Sequence, residues 1–183
     1  MSTPTATTLS TWTIDQAHSL AEFSVRHMMV STTRGQFQNI EGTLQLDESD
    51  LTNSKVDVTI DVASLTTRDE KRDEHLRSAD FFDVANQPKI TFKSTRIEKK
   101  KGDDYLVHGD LTIRGVTRPV VLEAEFNGFG TSPWGQSVAG FEADTEISRK
   151  DFGLEWNVAL ETGGVLVGDK VKIHLEVEAI KQQ

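Results

Sequence analysis

Cysteine is absent from the 183 residues. That excludes a disulfide framework and a thiolate metal site, and it fits a reducing compartment without requiring one. No stretch approaches the roughly 18 apolar residues of a membrane-spanning helix. Basic residues are outnumbered, 20 Lys and Arg against 29 Asp and Glu, for a net charge of −9 and a pI near 5.0. A nucleic-acid partner needs a basic face, so this balance argues against one. The anionic leaflet of a membrane repels such a chain as a whole, and stable membrane insertion is not expected. Met1 to Thr11 is rich in Ser and Thr and lacks both a basic segment and an apolar run, so it does not read as a secretory signal. It reads as a disordered arm ahead of one domain over 12–183, long enough to bury a full core. On that reading the protein is cytoplasmic, or periplasmic or extracellular if a leader is missing.

The usual catalytic patterns are absent as well. There is no G-x-S-x-G elbow, no P-loop and no dinucleotide fingerprint; Gly128-Phe129-Gly130 does not sit between a strand and a helix. The five histidines, His18, His27, His75, His108 and His174, show no metal-ligand spacing. His18 follows Asp15 by three residues and His75 follows Asp73 by two, spacings expected by chance in a chain with 27% charge. His27 shares a strand face with Phe23 and Val25 and reads as a hydrogen-bonded core histidine. Nothing amounts to a nucleophile, base and orienter, so neither catalysis nor a cofactor nor a metal is expected.

What the chain has is alternation. Val56, Val58, Ile60 and Val62 alternate with Asp57, Thr59 and Asp61, the pattern of a half-buried strand. Similar runs cover Trp12–Asp15, Leu20–His27, Gly35–Leu46, Lys89–Glu98, Tyr105–Ile113, Pro119–Phe126, Val138–Ser148 and Val171–Ile180. Met28–Thr33 breaks the pattern and reads as one helical turn. Lys99–Asp104 reads as a hairpin tip, Asn127–Ser137 as a long loop, and Phe152–Asp169 as irregular. About nine strand-like runs with one wet face each, and almost no helical crossovers, imply an antiparallel sheet. Its apolar face is covered either in a sandwich or in a closed barrel.

One segment is different. Thr67 and Glu70 have capping-box spacing, and the residues after them contain no Gly or Pro, which predicts a helix over Arg68–Ser78. Its surface is nearly all charge, with Leu76 and Ala79 as a narrow apolar edge. Phe81 and Phe82 follow, and Pro88 ends the connection. The segment reads as a charged flap tethered by two phenylalanines, with Glu70, Lys71, Glu74 and Arg77 in water.

The run His75-Leu76-Arg77-Ser78-Ala79-Asp80-Phe81-Phe82-Asp83, with Pro88 and Ile90-Thr91-Phe92 behind it, resembles the signature segment of the YceI-like family. Two further blocks agree: Gly109-Asp110-Leu111-Thr112-Ile113-Arg114-Gly115, and Pro133-Trp134-Gly135 with Arg149-Lys150-Asp151-Phe152-Gly153. The resemblance runs from about Trp12 to the C-terminus. It implies a lipocalin-like antiparallel β-barrel of about eight strands with one inserted helix. It also implies an apolar lipid partner, a polyisoprenoid, quinone tail or similar chain bound for transport, storage or sequestration, and a homodimer.

A tunnel for such a chain would be lined by the inward faces of the strands. These are Phe23 and Val25, Ile40 and Leu44, Val58 and Ile60, then Ile90 and Phe92 and Leu111 and Ile113. Phe126, Phe141, Phe152 and Leu154 complete the wall, with Leu76, Phe81 and Phe82 from the flap. None carries a charge, and each buried CH₂ contributes ~0.8 kcal/mol to holding an apolar chain. The same residues also suit a filled core. A solid barrel serving as a protein-interaction or stress-response module is therefore the alternative, and a hydrolase or isomerase acting inside the tunnel is a third reading.

Overall fold

The computed structural model describes residues 6–183, so residues 1–5 of the expected arm lie outside the described residues. Among the described residues there are eleven strands: β1 (Ser10–Ile14), β2 (Leu20–His27), β3 (Ser31–Phe37), β4 (Ile40–Leu46), β5 (Lys55–Asp61), β6 (Leu65–Thr66), β7 (Lys89–Lys101), β8 (Asp104–Ile113), β9 (Val116–Thr131), β10 (Ser137–Ser148) and β11 (Val167–Lys181). One α-helix, α1 (Glu70–Arg77), lies between β6 and β7. All strand pairings are antiparallel.

Three barrel strands are built from two pieces each. β11 holds β1 on one part of its edge and β2 on the rest: Ile14 faces Ala179 and Ala21 faces Leu175. Between them the 3₁₀ turn Gln16–His18 starts at Asp15, whose carboxylate accepts from the Ala17 N–H. β3 and β4 are likewise separated at Gln38 and Asn39, so the strand expected over Gly35–Leu46 is broken. β5 and β6 are separated by a 3₁₀ turn at Val62–Ser64. The order β1, β4, β5, β7, β8, β9, β10, β11, closed by the β1–β11 pairing, makes an eight-stranded barrel. The alternation that marks these strands in the sequence is the alternation between barrel interior and solvent.

The two ends of the barrel differ. At one end the ladder is continuous around the whole circumference. At the other, β6 pairs only with β3, through Gln36–Thr66 and Phe37–Leu65, and no ladder joins it to β7. The segment from Thr67 to Pro88, which contains α1, fills that seam.

The helix is shorter than the sequence predicts, and its cap lies elsewhere. Asp69 is the N-cap, its carboxylate accepting from the Arg72 N–H. Thr67 does not form a capping box; its N–H and hydroxyl both donate to the buried Asp73 carboxylate. Leu76 packs inward, but Ala79 is exposed and adds nothing to the apolar edge. Arg77 is not free in water either: its Nη2 donates to Leu65 O at 2.8 Å.

Other boundaries move outward. β9 and β10 continue to Thr131 and from Ser137, so the expected loop shrinks to 132–136, and Phe129 becomes a strand residue. The lysines Lys99–Lys101 belong to β7, and the turn is only Gly102 and Asp103. Met28–Thr33 holds no helical turn; it is a tight hairpin turn followed at once by β3.

Candidate ligand-binding cavity

The barrel is not filled. A cavity of about 240 Å³ runs along its axis, and the surface it presents is apolar. Holding one water takes only about 10–15 Å³ of such space, so this is far more than a packing defect. All residues expected at the tunnel wall line it. β2 contributes Phe23 and Val25, β4 Ile40 and Leu44, β5 Val58 and Ile60, β7 Ile90 and Phe92, and β8 Leu111 and Ile113. Phe126 and Phe141 come from β9 and β10, Phe152 and Leu154 from the connection after β10, and Leu76, Phe81 and Phe82 from the seam segment.

Two glycines explain how a barrel so rich in phenylalanine keeps an open axis. Gly35 lies directly across from Phe23, and a Cβ there would collide with the Phe23 ring. Gly109 is diagonal to Phe92, and a Cβ there would collide with the Phe92 ring. Each ring therefore folds down over a bare stretch of the neighbouring strand. With any larger residue beneath them, both rings would be driven toward the axis.

The seam segment closes one end through aromatic contacts. Phe82 meets Phe37 edge-on, with centroids 5.8 Å apart, and Phe37 in turn lies 5.5 Å from Phe23. Phe81 is buried, and its carbonyl accepts from Arg114 Nη1 at 2.8 Å. At the other end Leu51 reaches the cavity from the β4–β5 connection. Asp47 organises that connection. Its carboxylate accepts from Ser49 Oγ at 2.6 Å and Asn53 Nδ2 at 3.0 Å, and from the Ser49 and Asp50 N–H groups. Hydrogen bonds from Ser49 and Asn53 to the ionised form lower the Asp47 pKa to about 2.

Three charged residues line the wall, Glu22, Glu142 and Arg149, and of these Arg149 is buried. Arg149, only 4% exposed, lines the cavity where β10 ends. Its Nε donates to Gly168 O at 2.8 Å, Nη1 to Leu154 O at 2.6 Å and Trp156 O at 2.9 Å, and Nη2 to Val167 O at 3.3 Å. The guanidinium thus supplies the donors that a ladder would otherwise give to an irregular connection. Burial lowers its pKa, and the Asp169 carboxylate, 3.7 Å away, offsets part of that effect. The only sequence sign of it is the Arg149-Lys150-Asp151-Phe152-Gly153 block, where the basic residue reads as surface.

The polar residues at the wall are Glu22, Ser54, Tyr105, Glu142, Thr145 and Arg149. Ser54 Oγ accepts from the Asp47 N–H, Thr145 Oγ1 donates to Val121 O, and the Arg149 guanidinium donates to backbone carbonyls. Among the described residues, no hydrogen bond joins any two of them. None of the five histidines lines the cavity. His27 pairs with Val167 and Ser31 in the ladder, and His75 meets Asp80 rather than Asp73, at 2.9 Å. The Asp15–His18 spacing is a real contact of 2.7 Å. Glu178 from β11 joins them, so three groups with ligand atoms within 4.8 Å of one another stand together outside the barrel. Only the pairing of β1 with β11 brings Glu178 there.

The family described as YceI-like domain matches residues 12–179. Protein YceI of Escherichia coli O17:K52:H18 is 42% identical over 166 residues, covering 91% of this chain and 83% of that protein. The crystal structure of Burkholderia cenocepacia BcnA superposes with a TM-score of 0.77 at 25% identity, over 90% of this chain and 98% of that one. A domain from Saccharophagus degradans, described as polyisoprenoid binding and implicated in plant cell wall breakdown, shares the fold with a TM-score of 0.71 at 15% identity. It covers 95% of this chain and 99% of its own.

Proposed function

The chain belongs to the YceI-like family, and from that footing we propose that it is a non-catalytic binding protein for one long apolar lipid, of the polyisoprenoid or quinone-tail class, which it carries or stores. The observation that supports this reading is the continuous apolar cavity along the barrel axis. Such a cavity suits a ligand with many CH groups and few polar ones, since burial of apolar area alone then holds it. The fold neighbour described as a polyisoprenoid binding domain adds weight to that ligand class. The cavity also weighs against a solid barrel, whose axis would be packed to interior density.

The test is extraction. The purified protein is denatured in organic solvent and the extract is analysed by mass spectrometry. A stoichiometric long-chain lipid is the expected result. An extract free of lipid, from protein that also fails to take up an added polyprenol, would remove the reading in favour of an interaction module. Conversion of the added polyprenol would instead make the protein an enzyme.

A further inference from the structure

Five exposed apolar side chains cluster at the helix end of the barrel, outside the cavity. Met28, Met29 and Val30 form the tip of the β2–β3 hairpin and are 44, 61 and 77% exposed. Val158 and Val165, in the connection between β10 and β11, are 45 and 38% exposed. The two groups form one surface. The Met28 N–H donates to Leu166 O at 2.8 Å, the Leu166 N–H donates to Val158 O at 2.9 Å, and Ala159 bridges to Val165. The Met29 thioether lies against Gly164, where a Cβ would collide with its sulfur.

The turn is built against local preference. The Val30 N–H donates to His27 O at 3.1 Å, and both central residues have positive φ, 52° at Met28 and 61° at Met29. Asn-Gly is the favoured pair for such a turn, and a long unbranched residue at either position is strained. Local strain that holds two methionines in solvent points to a use for the side chains.

We propose that this tip docks the protein on the surface of a lipid bilayer. The patch is a protruding hairpin tip with one neighbouring loop. It offers five apolar side chains, where a stable protein interface takes roughly 20–30 residues a side. A bilayer closes around a protruding apolar knob, and methionine adapts to it. The patch also neighbours the cavity in the chain, because the connection that carries Val158 and Val165 supplies Leu154 to the wall and leads into Val167 of β11, which lines it too. Arg26 stands just below the tip, donating to Met29 O at 3.1 Å and Thr32 Oγ1 at 3.2 Å, at head-group level once the tip is immersed. Glu155 and Glu161 are exposed on the neighbouring connection, so the surface has no basic excess and the contact rests on apolar burial. Its purpose as a transfer site rests on the lipid-binding reading; the docking itself needs no ligand in the cavity.

The experiment is flotation of the full chain with phosphatidylcholine vesicles, together with lipid extraction of the same samples. Two double substitutions are compared with wild type. Met28→Asn with Met29→Gly restores the favoured turn pair and should raise the melting temperature. Met29→Asp with Val30→Asp places charge on the tip, and Asp tolerates the left-handed backbone at 29. Trp134→Ala, at the opposite end of the barrel, is the control. Wild type and Trp134→Ala should float alike, and should still float in about 0.5 M salt, because the contact is apolar. Both tip variants should lose roughly tenfold or more of vesicle partition while folded by circular dichroism. Equal flotation of wild type and tip variants would overturn the proposal. So would a wild type that does not float but sediments as a dimer that the tip substitutions split. A protein that floats yet carries no lipid would leave docking standing and remove the carrier reading instead.

Discussion

The imidazole of His75 stands edge-on to the indole of Trp156, with 4.6 Å between ring centroids and 88° between planes. Phe81 completes the group, 5.0 Å from His75 and 5.4 Å from Trp156. His75 belongs to α1 and Trp156 to the β10–β11 connection, so these rings fasten the seam segment to the far side of the barrel mouth. Aromatic contacts of this kind contribute about 0.5–1.5 kcal/mol beyond area burial. Trp156→Ala and His75→Ala should each leave global unfolding nearly intact, yet speed amide exchange over Thr67–Pro88. Exchange there at the wild-type rate would show that Arg114 and Phe82 hold the segment without them.

Blocking the axis should empty the barrel. Val58 lies opposite Phe92 in the β5–β7 ladder, and both face the cavity. Val58→Trp should remain folded and lose its extractable lipid. Gly35→Ala should act the same way by lifting the Phe23 ring off the wall, with a destabilisation of about 1–3 kcal/mol from overpacking. Circular dichroism and mass spectrometry on the same sample read both effects. Folded variants that still carry full lipid would place the ligand outside the axis.

Removing the buried guanidinium should cost several kcal/mol. Arg149→Ala takes the side-chain donor from the Leu154, Trp156 and Gly168 carbonyls, while Val167 O keeps Asn157 Nδ2, and each buried group left unpaired costs about 1–3 kcal/mol. Arg149→Lys keeps the charge without the planar fork and should recover less than half of the loss. Urea unfolding measures both variants.

Asp47 sets an acid limit. Its folded pKa of about 2 lies below its ordinary value, because Ser49 and Asn53 bond the ionised form. The stabilisation is therefore complete above the unfolded value of about 3.9 and is lost as pH falls through the folded one. Asp47→Asn should melt below wild type at pH 7, and the gap should close between about pH 4 and pH 2. A gap that stays constant over that window would mean that the carboxylate's charge plays no part.

Much of the barrel was legible because its strands carry a dry face and a wet face. Val58 and Ile60, or Leu111 and Ile113, announce their direction by the charged residues between them. That the axis is open was not legible. It depends on Phe23 lying over Gly35 and Phe92 over Gly109, contacts across strands that a linear pattern does not encode. Arg149 was missed for a related reason: its partners are carbonyls of residues 154–168, and backbone acceptors leave no mark in a sequence. The sequence places the helix cap wrongly because Thr67 donates to the Asp73 carboxylate instead of accepting from a helix N–H, and Asp69 takes the cap. The strained Met28–Met29 turn reads as helical in the sequence because nothing in its residue types asks for a left-handed backbone.

The seam between β6 and β7 bears on what the barrel tolerates. Elsewhere around the circumference neighbouring strands are tied by ladder bonds, and widening the wall means breaking a row of them. Along the seam no ladder joins β6 to β7, and widening meets only isolated bonds such as Val62 N–H to Pro88 O and Arg77 Nη2 to Leu65 O, with the packed side chains of the Thr67–Pro88 segment. The girth of the barrel is therefore adjustable along one meridian, as in a cask with one loose stave. On the lipid-binding proposal, thicker and thinner chains would differ in how far that one segment stands off the wall, while the remaining strands keep their register.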